Sequence, residues 1–457
     1  MIEPLKVSKF PSYTEVALSE QFSEIYHDDL KYNIDVNNWF FWDGARWKQD
    51  QRNQQTQENA KTVIIGIYQD AAKETDSETR KNLLKFAERQ NSRSGISNLL
   101  FLSQYVFTIT DQNFDLDPHL LNTPSGTYNL VTTEIQPFSK EDYITKITGT
   151  EFKKEVACPL WLSHLEKCFD GNKDLIQNFK EICGYLLYFG NPDGVFCVLY
   201  GSGKNGKSVT IRIIENILGD YAISVNPQSF MEIGNHPGSD RLLMKNARLI
   251  TSIETGTSGK YKLDAPFVKA ITGGDTLSER KLYCESQRFK VGGVVFLATN
   301  AKPRVPDQSI GMWERLWLIP FNHYFPPEER DKEIVKKLNG EKPGILNWMI
   351  EGCQDYKKRG YLQKCAAICE ETEEYKHGED WYSPFIDDTI KILERGAIKA
   401  REFYSAYVQW CASQIPQIKA RSETSFGREM GVRFRKKRGN DGRYEYHGIG
   451  FRGQSNL

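Results

Sequence analysis

The stretch Val195-Phe-Cys-Val-Leu-Tyr-Gly-Ser-Gly-Lys-Asn-Gly-Lys-Ser208 decides the fold. It opens as a short, unbroken apolar run, the pattern of a strand covered on both faces in a parallel sheet. The run stops at a glycine, and Gly201, Gly206, Lys207 and Ser208 then fill the spacing G-x-x-x-x-G-K-[ST]. Glycines at these places let backbone N–H groups turn toward phosphate oxygens. Lys207 supplies a cation for the β and γ phosphates, and the Ser208 hydroxyl suits Mg²⁺. The segment from Val209 to Leu218 reads as a helix, whose N-terminal dipole favours the same anion. ATP is therefore expected against Gly201, Ser202, Gly203, Lys204, Asn205, Gly206, Lys207, Ser208 and Val209.

Further buried strands are expected at Ala247–Ile253, Val294–Thr299 and Leu316–Pro320. Strands alternating with helices argue for an α/β core with a parallel sheet. A carboxylate at the end of a neighbouring strand is needed to hold Mg²⁺ and orient water, and Glu254 stands there. Ile253 precedes it, so the usual Asp-Glu pair is absent, and Ser208 with Glu254 forms the expected metal set. Asn300 ends the next strand, where a polar group can position the attacking water. Arg315 suits transition-state charge in a neighbouring subunit's site. Each has a plainer reading: a surface glutamate, a strand-end amide, and an arginine paired with Glu314. After the Gly273-Gly274-Asp275 turn, a hairpin is expected through Phe289. Its Arg280, Lys281 and Arg288 can follow a single-strand backbone or simply face water.

Outside this core the 457 residues exceed one ordinary domain. Lys plus Arg equals Asp plus Glu at 60 each, so net charge does not single out a nucleic-acid partner. The nine cysteines form no CxxC pair, which fits reduced thiols in a cytosolic chain. Cys365, Cys369 and His377 lack a fourth ligand and read as buried thiols on a helix rather than a metal site. No run spans a bilayer, and Met1-Ile-Glu-Pro has no targeting pattern. Trp39–Trp47 reads as a hairpin around Asp43-Gly44 with a packed aromatic face, Glu58–Asn91 as helix, and Leu121–Leu130 as short strands about a turn. Helices are expected at Ile386–Leu393 and Ala400–Gln414. Between 419 and 452, ten basic residues stand against four acidic ones, with a hairpin at Gly439–Gly442, a pattern that fits a small winged-helix module.

The runs Leu199–Ser208, Ala247–Glu254, Ile271-Thr-Gly-Gly-Asp275, Ala298-Thr-Asn-Ala-Lys-Pro303 and Trp313-Glu-Arg-Leu-Trp-Leu-Ile-Pro-Phe321 resemble superfamily 3 helicases, in the phage, plasmid and poxvirus primase-helicase branch. Trp42-Asp-Gly-Ala-Arg-Trp47 and Asn122–Leu130 extend the likeness toward the N-terminus. The resemblance implies an AAA+ ATPase that forms a ring, usually a hexamer, and moves along single-stranded DNA, opening forked duplex. It assigns Lys207 and Ser208 to nucleotide and Mg²⁺, Glu254 to the second acidic motif, Asn300 to the sensor and Arg315 to the arginine finger. It gives Arg280 and Lys281 to DNA. The branch often has paired arginines after the tryptophan; Glu314 replaces the first, leaving Arg315 as the finger and Arg304 as fallback. The expected division is 1–155, an N-terminal α+β domain; 156–190, a helical lead-in; 191–350, the ATPase core; and 351–457, a linker and winged-helix-like domain. No clear acidic catalytic cluster precedes the core, so priming is expected from a separate primase or polymerase or from a further part of the same protein. The expected location is the host cytoplasm or a viral replication site. The other readings are an ATP-regulated initiator on duplex origin DNA and a P-loop small-molecule kinase.

Overall fold

The computed structural model describes residues 14–232, 238–253, 262–280, 286–380, 382–414, 419–439 and 442–452. The chain forms two compact units. The first runs to Pro303 and includes Glu314–Cys369; the second holds Arg304–Trp313 and the chain from Glu370. Among the described residues no helix is long and apolar enough to cross a membrane.

A five-stranded parallel sheet lies at the centre of the first unit. Its order is Leu316–Pro320, Phe196–Tyr200, Val294–Thr299, Leu249–Ile253 and Ala222–Ser224. Phe196 to Leu199 and Phe296 to Leu297 are wholly buried, as apolar runs in a doubly covered sheet must be. The lead-in helices Pro159–Cys168 and Lys173–Tyr185 follow the predicted apolar spacing. The second of them crosses the helix Lys342–Arg359 very closely. A Cβ on Gly184 would stand 2.0 Å from the Cys353 amide nitrogen, and one on Gly352 would stand 2.1 Å from the Lys180 carbonyl oxygen.

Ahead of this core, four helices (Glu15–Tyr26, Gln54–Lys73, Ser77–Gln90, Arg93–Ser103) pack with a four-stranded sheet. Trp42 pairs with Trp47 across the expected hairpin, whose Gly44 takes φ +100°. Trp39 and Trp47 are buried, so these aromatics fill a core and offer no stacking platform. The stretch Glu58–Asn91 is helical as expected, in two pieces. It breaks after Lys73, and Asp76 caps the next helix by accepting from the Thr79 amide. The strands Leu120–Thr123, Gly126–Asn129 and Glu134–Gln136 form a separate small sheet. Arg248 ties that sheet to the centre. It is 4% exposed, donates to the carbonyls of Leu187 and Leu120, and lies 4.4 Å from the Tyr221 ring centroid.

The second unit carries the helices Ser383–Thr389, Ala400–Ser413 and Glu423–Arg433. Its antiparallel sheet places Tyr444–Phe451 between Ile390–Lys399 and Arg435–Arg438. Phe385, Phe403, Tyr407, Phe426, Met430 and Tyr446 fill its core. The helix expected over Ile386–Leu393 ends at Thr389. From Ile390 the chain is a strand paired with Phe451, Gly450 and Ile449, because β-branched residues meeting a distant partner strand outweigh local helical spacing.

Candidate nucleotide site

The loop leaves the strand at Gly201 and meets the helix Lys207–Leu218, with Gly203, Lys204 and Gly206 in left-handed conformations at φ +103°, +54° and +86°. Gly201 admits no side chain: a Cβ there would stand 1.9 Å from Asn205 Nδ2 and 2.3 Å from the Phe321 carbonyl oxygen. Two bonds fix the loop from the sheet edge. Asn205 Nδ2 donates to the Phe321 carbonyl at 3.0 Å, and the Phe325 amide donates to the Lys204 carbonyl at 2.9 Å.

Lys207 is 5% exposed. Its Nζ donates to the Gly201 carbonyl at 2.7 Å, Asn205 Oδ1 at 2.9 Å and Asn300 Oδ1 at 3.2 Å. These three oxygens are neutral, and burial pulls the ammonium pKa down to about 8. An anion brought to this lysine would gain a desolvated charge partner. Asn300 reaches it because Thr299 pairs with Tyr200 in the adjacent parallel strand, which brings both strand ends to the loop. Ser208 lies exposed on the first turn of the helix.

Beneath the loop the lead-in helix supplies a floor. His164 Nε2 and Thr210 Oγ1 are 3.0 Å apart, and Cys168 Sγ lies 3.5 Å from the same ring nitrogen. Burial lowers the His164 pKa to about 4, so the ring is neutral near pH 7, and it raises the Cys168 thiol to about 12. A Cβ on Gly206 would meet that sulfur at 2.4 Å. None of these three residues was expected in the site. The available signal is His164 and Cys168 at i and i+4, on one face of a helix far ahead of the loop.

The remaining expected residues fall elsewhere. Glu254 and Lys281 lie outside the described residues, and so does the Arg280 side chain. The strands Thr276–Arg280 and Ser286–Lys290 pair antiparallel, with Leu277 opposite the buried Phe289 and Arg288 exposed opposite Ser278. Arg241 anchors the hairpin root: it lies 3.6 Å from Glu279 and 2.8 Å from Asp264, with its guanidinium 3.6 Å from the Phe267 centroid. Arg315 precedes the strand Leu316–Pro320, whose Leu316 pairs with Phe196. Its Cγ stands 4.0 Å from where a Gly194 Cβ would be. Arg315 is thus at the opposite end of the sheet from the loop, roughly 15 Å away at about 3.3 Å per residue. Lys207 and Asn300 come together; Arg315 does not join them within the chain. Arg304 is exposed in the second unit.

Residues 19–170 match a family model described as D5 N terminal like. A helicase-named protein of Acanthamoeba polyphaga mimivirus is 23% identical over 329 residues, covering 66% of this chain and 34% of that protein. A helicase-named protein of Frog virus 3 is 23% identical over 248 residues, covering 50% of this chain and 25% of the relative. A primase-named protein of African swine fever virus is 24% identical over 379 residues, covering 73% and 38%. The chain therefore spans between a quarter and two fifths of the length of these relatives. In fold it is similar to the A form apo structure of the NrS-1 C-terminal region, with a TM-score of 0.50 at 12% identity, covering 93% of this chain and 98% of that one.

Proposed function

We propose that this chain, a member of the primase-helicase family, is an ATP-dependent replicative DNA helicase with a superfamily 3 AAA+ core. One observation carries the reading. The phosphate loop leaves the sheet beside a strand whose terminal Asn300 touches Lys207, and that strand separates the loop strand from the one leading to Glu254. In sequence order the sheet runs fifth, first, fourth, third, second, which suits a motor whose sensing strand lies between the two nucleotide motifs.

The residues present fit a nucleoside triphosphate. Gly201 to Ser208 form a cradle that a Cβ would fill, and Lys207 offers a buried cation with neutral partners. Backbone N–H groups from Gly201 to Val209 would hold the phosphates, and Ser208 with Glu254 would hold Mg²⁺, which supplies charge neutralisation at the transferred phosphoryl. Asn300 would orient water. The distance of Arg315 from its own loop supports its acting in the site of the next subunit, in a ring that we take to be a hexamer. The hairpin bearing Arg280, Lys281 and Arg288 would contact single-stranded DNA, and a separate primase or polymerase would act with it.

The test is ATP turnover with and without single-stranded DNA, together with unwinding of a forked duplex. DNA should raise turnover. Lys207→Ala and Arg315→Ala should each lower it at least 10³-fold. Mixing the two variants should restore part of it, since each supplies what the other lacks across a subunit interface. Turnover indifferent to DNA would sink the motor, and an active Arg315→Ala would sink the shared site. A second reading, an initiator on duplex DNA, is favoured by the second unit. Its order of helix, strand, two helices and two strands is winged-helix-like.

A further inference from the structure

The last two strands of the second unit form a hairpin whose outer strand is Arg435-Lys436-Lys437-Arg438, and all four residues are exposed. Lys436 lies over the ring of the buried Tyr446, with Nζ 5.5 Å from its centroid, yet it stays exposed like its three neighbours, so the strand keeps four cations in water. Tyr444 crosses beneath it, with its ring centroid 4.7 Å from Lys436 Nζ and 5.5 Å from the Arg438 guanidinium carbon. Tyr444 also lines a cleft of about 760 Å³ whose wall carries Lys399, Arg401 and Arg443 against Glu402 and Glu423. The cleft borders the start of the helix Ala400–Ser413, which has no side-chain cap.

Charge is unevenly divided between this hairpin and the helix before it. From 435 to 452 there are six basic residues and two acidic ones. Of the acids, Glu445 stands opposite Lys437. The helix Glu423–Arg433 has two of each sign. Its Arg433 is engaged by Asp380 at 2.8 Å and Glu429 at 3.1 Å. Facing water on that helix are Glu423, Thr424, Arg428, Gly431 and Val432, the last 81% exposed.

We infer that this unit grips the phosphate backbone of duplex DNA through the strand Arg435–Arg438 with Tyr444 and the adjoining cleft, and that the helix Glu423–Arg433 contributes little of the affinity. Phosphate neutralisation supplies most non-specific binding energy, and the hairpin strand offers four exposed cations where the helix offers only Arg428 facing water. Single-strand binders add exposed aromatic faces for bases. Here Tyr446 is buried, and Tyr444, though 48% exposed, has Lys436 and Arg438 over its ring, so these strands present far more cationic than aromatic surface. Lysines on an edge strand also deter edge-to-edge pairing, but one or two would do that.

The inference deepens the duplex-binding reading of this unit and needs nothing from the ATPase. The experiment uses the full chain without nucleotide and a random-sequence duplex closed at both ends by hairpin loops, which a ring cannot thread. Affinity is measured against salt. Replacing Arg435, Lys436, Lys437 and Arg438 by alanine should cut affinity at least 100-fold near physiological salt. It should also reduce the log–log salt slope by about 3 to 4, at about 0.9 per phosphate contact. Arg435→Lys with Arg438→Lys should keep most of both. Arg428→Ala with Val432→Ser should change affinity less than threefold. Basal ATP turnover and the melting curve check that the variants fold. Equal affinity for single strands, a helix variant that loses as much as the hairpin variant, an unchanged salt slope, or equal competition by polyglutamate would each overturn the inference. Closed-duplex binding that survives in Lys207→Ala keeps this result apart from the fate of the motor.

Discussion

Lys207 has two demands on its ammonium: three neutral oxygens hold it in the free protein, and burial lowers its pKa from the usual 10.5 to about 8. Phosphate oxygens would favour the charged form and move the pKa back up. Nucleotide binding should therefore take up a proton above pH 8. Apparent affinity should be flat from pH 6.5 to 7.5, then fall toward tenfold per pH unit above 8 until the bound-state pKa is reached. A fluorescent nucleotide titrated from pH 6.5 to 9.5 checks this, with Lys207→Arg, always charged, as the flat control. A wild-type curve flat to pH 9.5 would remove the argument. The glycine-bearing turn from strand to helix between Gly201 and Lys207 was legible because its spacing is local in sequence. Asn300 was legible as a strand end, but its contact with Lys207 required the strand order. The floor was not legible. His164 and Thr210 are 46 residues apart, and each alone is an ordinary helix residue.

At the scale of elements, continuous apolar strands and glycine turns were read with little error because burial on both faces leaves a simple pattern. Detail was lost where two signals compete. Glu58–Asn91 has helix-forming composition throughout, yet Glu74-Thr75-Asp76 offers a cap that starts a new helix. Ile390–Leu393 fits a helical spacing but is claimed by a strand more than fifty residues away in sequence. Close helix crossings leave no periodic signal at all, and Gly184 is the clearest. Gly184→Ala would push a methyl group against the Cys353 backbone, at a cost of about 3 kcal/mol. Asn172→Ala, which removes the cap of the same helix, should cost about 1 kcal/mol. Urea midpoints for the two variants give the comparison, and an alanine tolerated at 184 would mean that the helices can part freely.

The two units each enclose their own apolar core. In the second, Phe426 is wholly enclosed, with the rings of Phe403 and Tyr407 each 5.0 Å away. Phe426→Ala should cost about 3–5 kcal/mol in that unit. Calorimetry should show one transition moving down while another keeps its temperature, with basal ATP turnover unchanged at 25 °C. A uniform shift of all transitions would mean that the chain melts as one body. The second unit takes in 304–313, a short segment that no compositional break marks in the sequence.

Arg248 bears on how such a chain can be taken apart. Its guanidinium is buried where the hydrogen-bond acceptors are backbone carbonyls from two distant segments, beside the face of a tyrosine. A carbonyl cannot be supplied by mutation; it comes only with its stretch of chain. A fragment begun at residue 156 would discard Leu120 and leave a full positive charge short of an acceptor within the protein. The five-stranded sheet and the small sheet before it are thus one inheritance, and an experimenter who trims the first 155 residues to isolate the larger sheet would be removing part of its keystone.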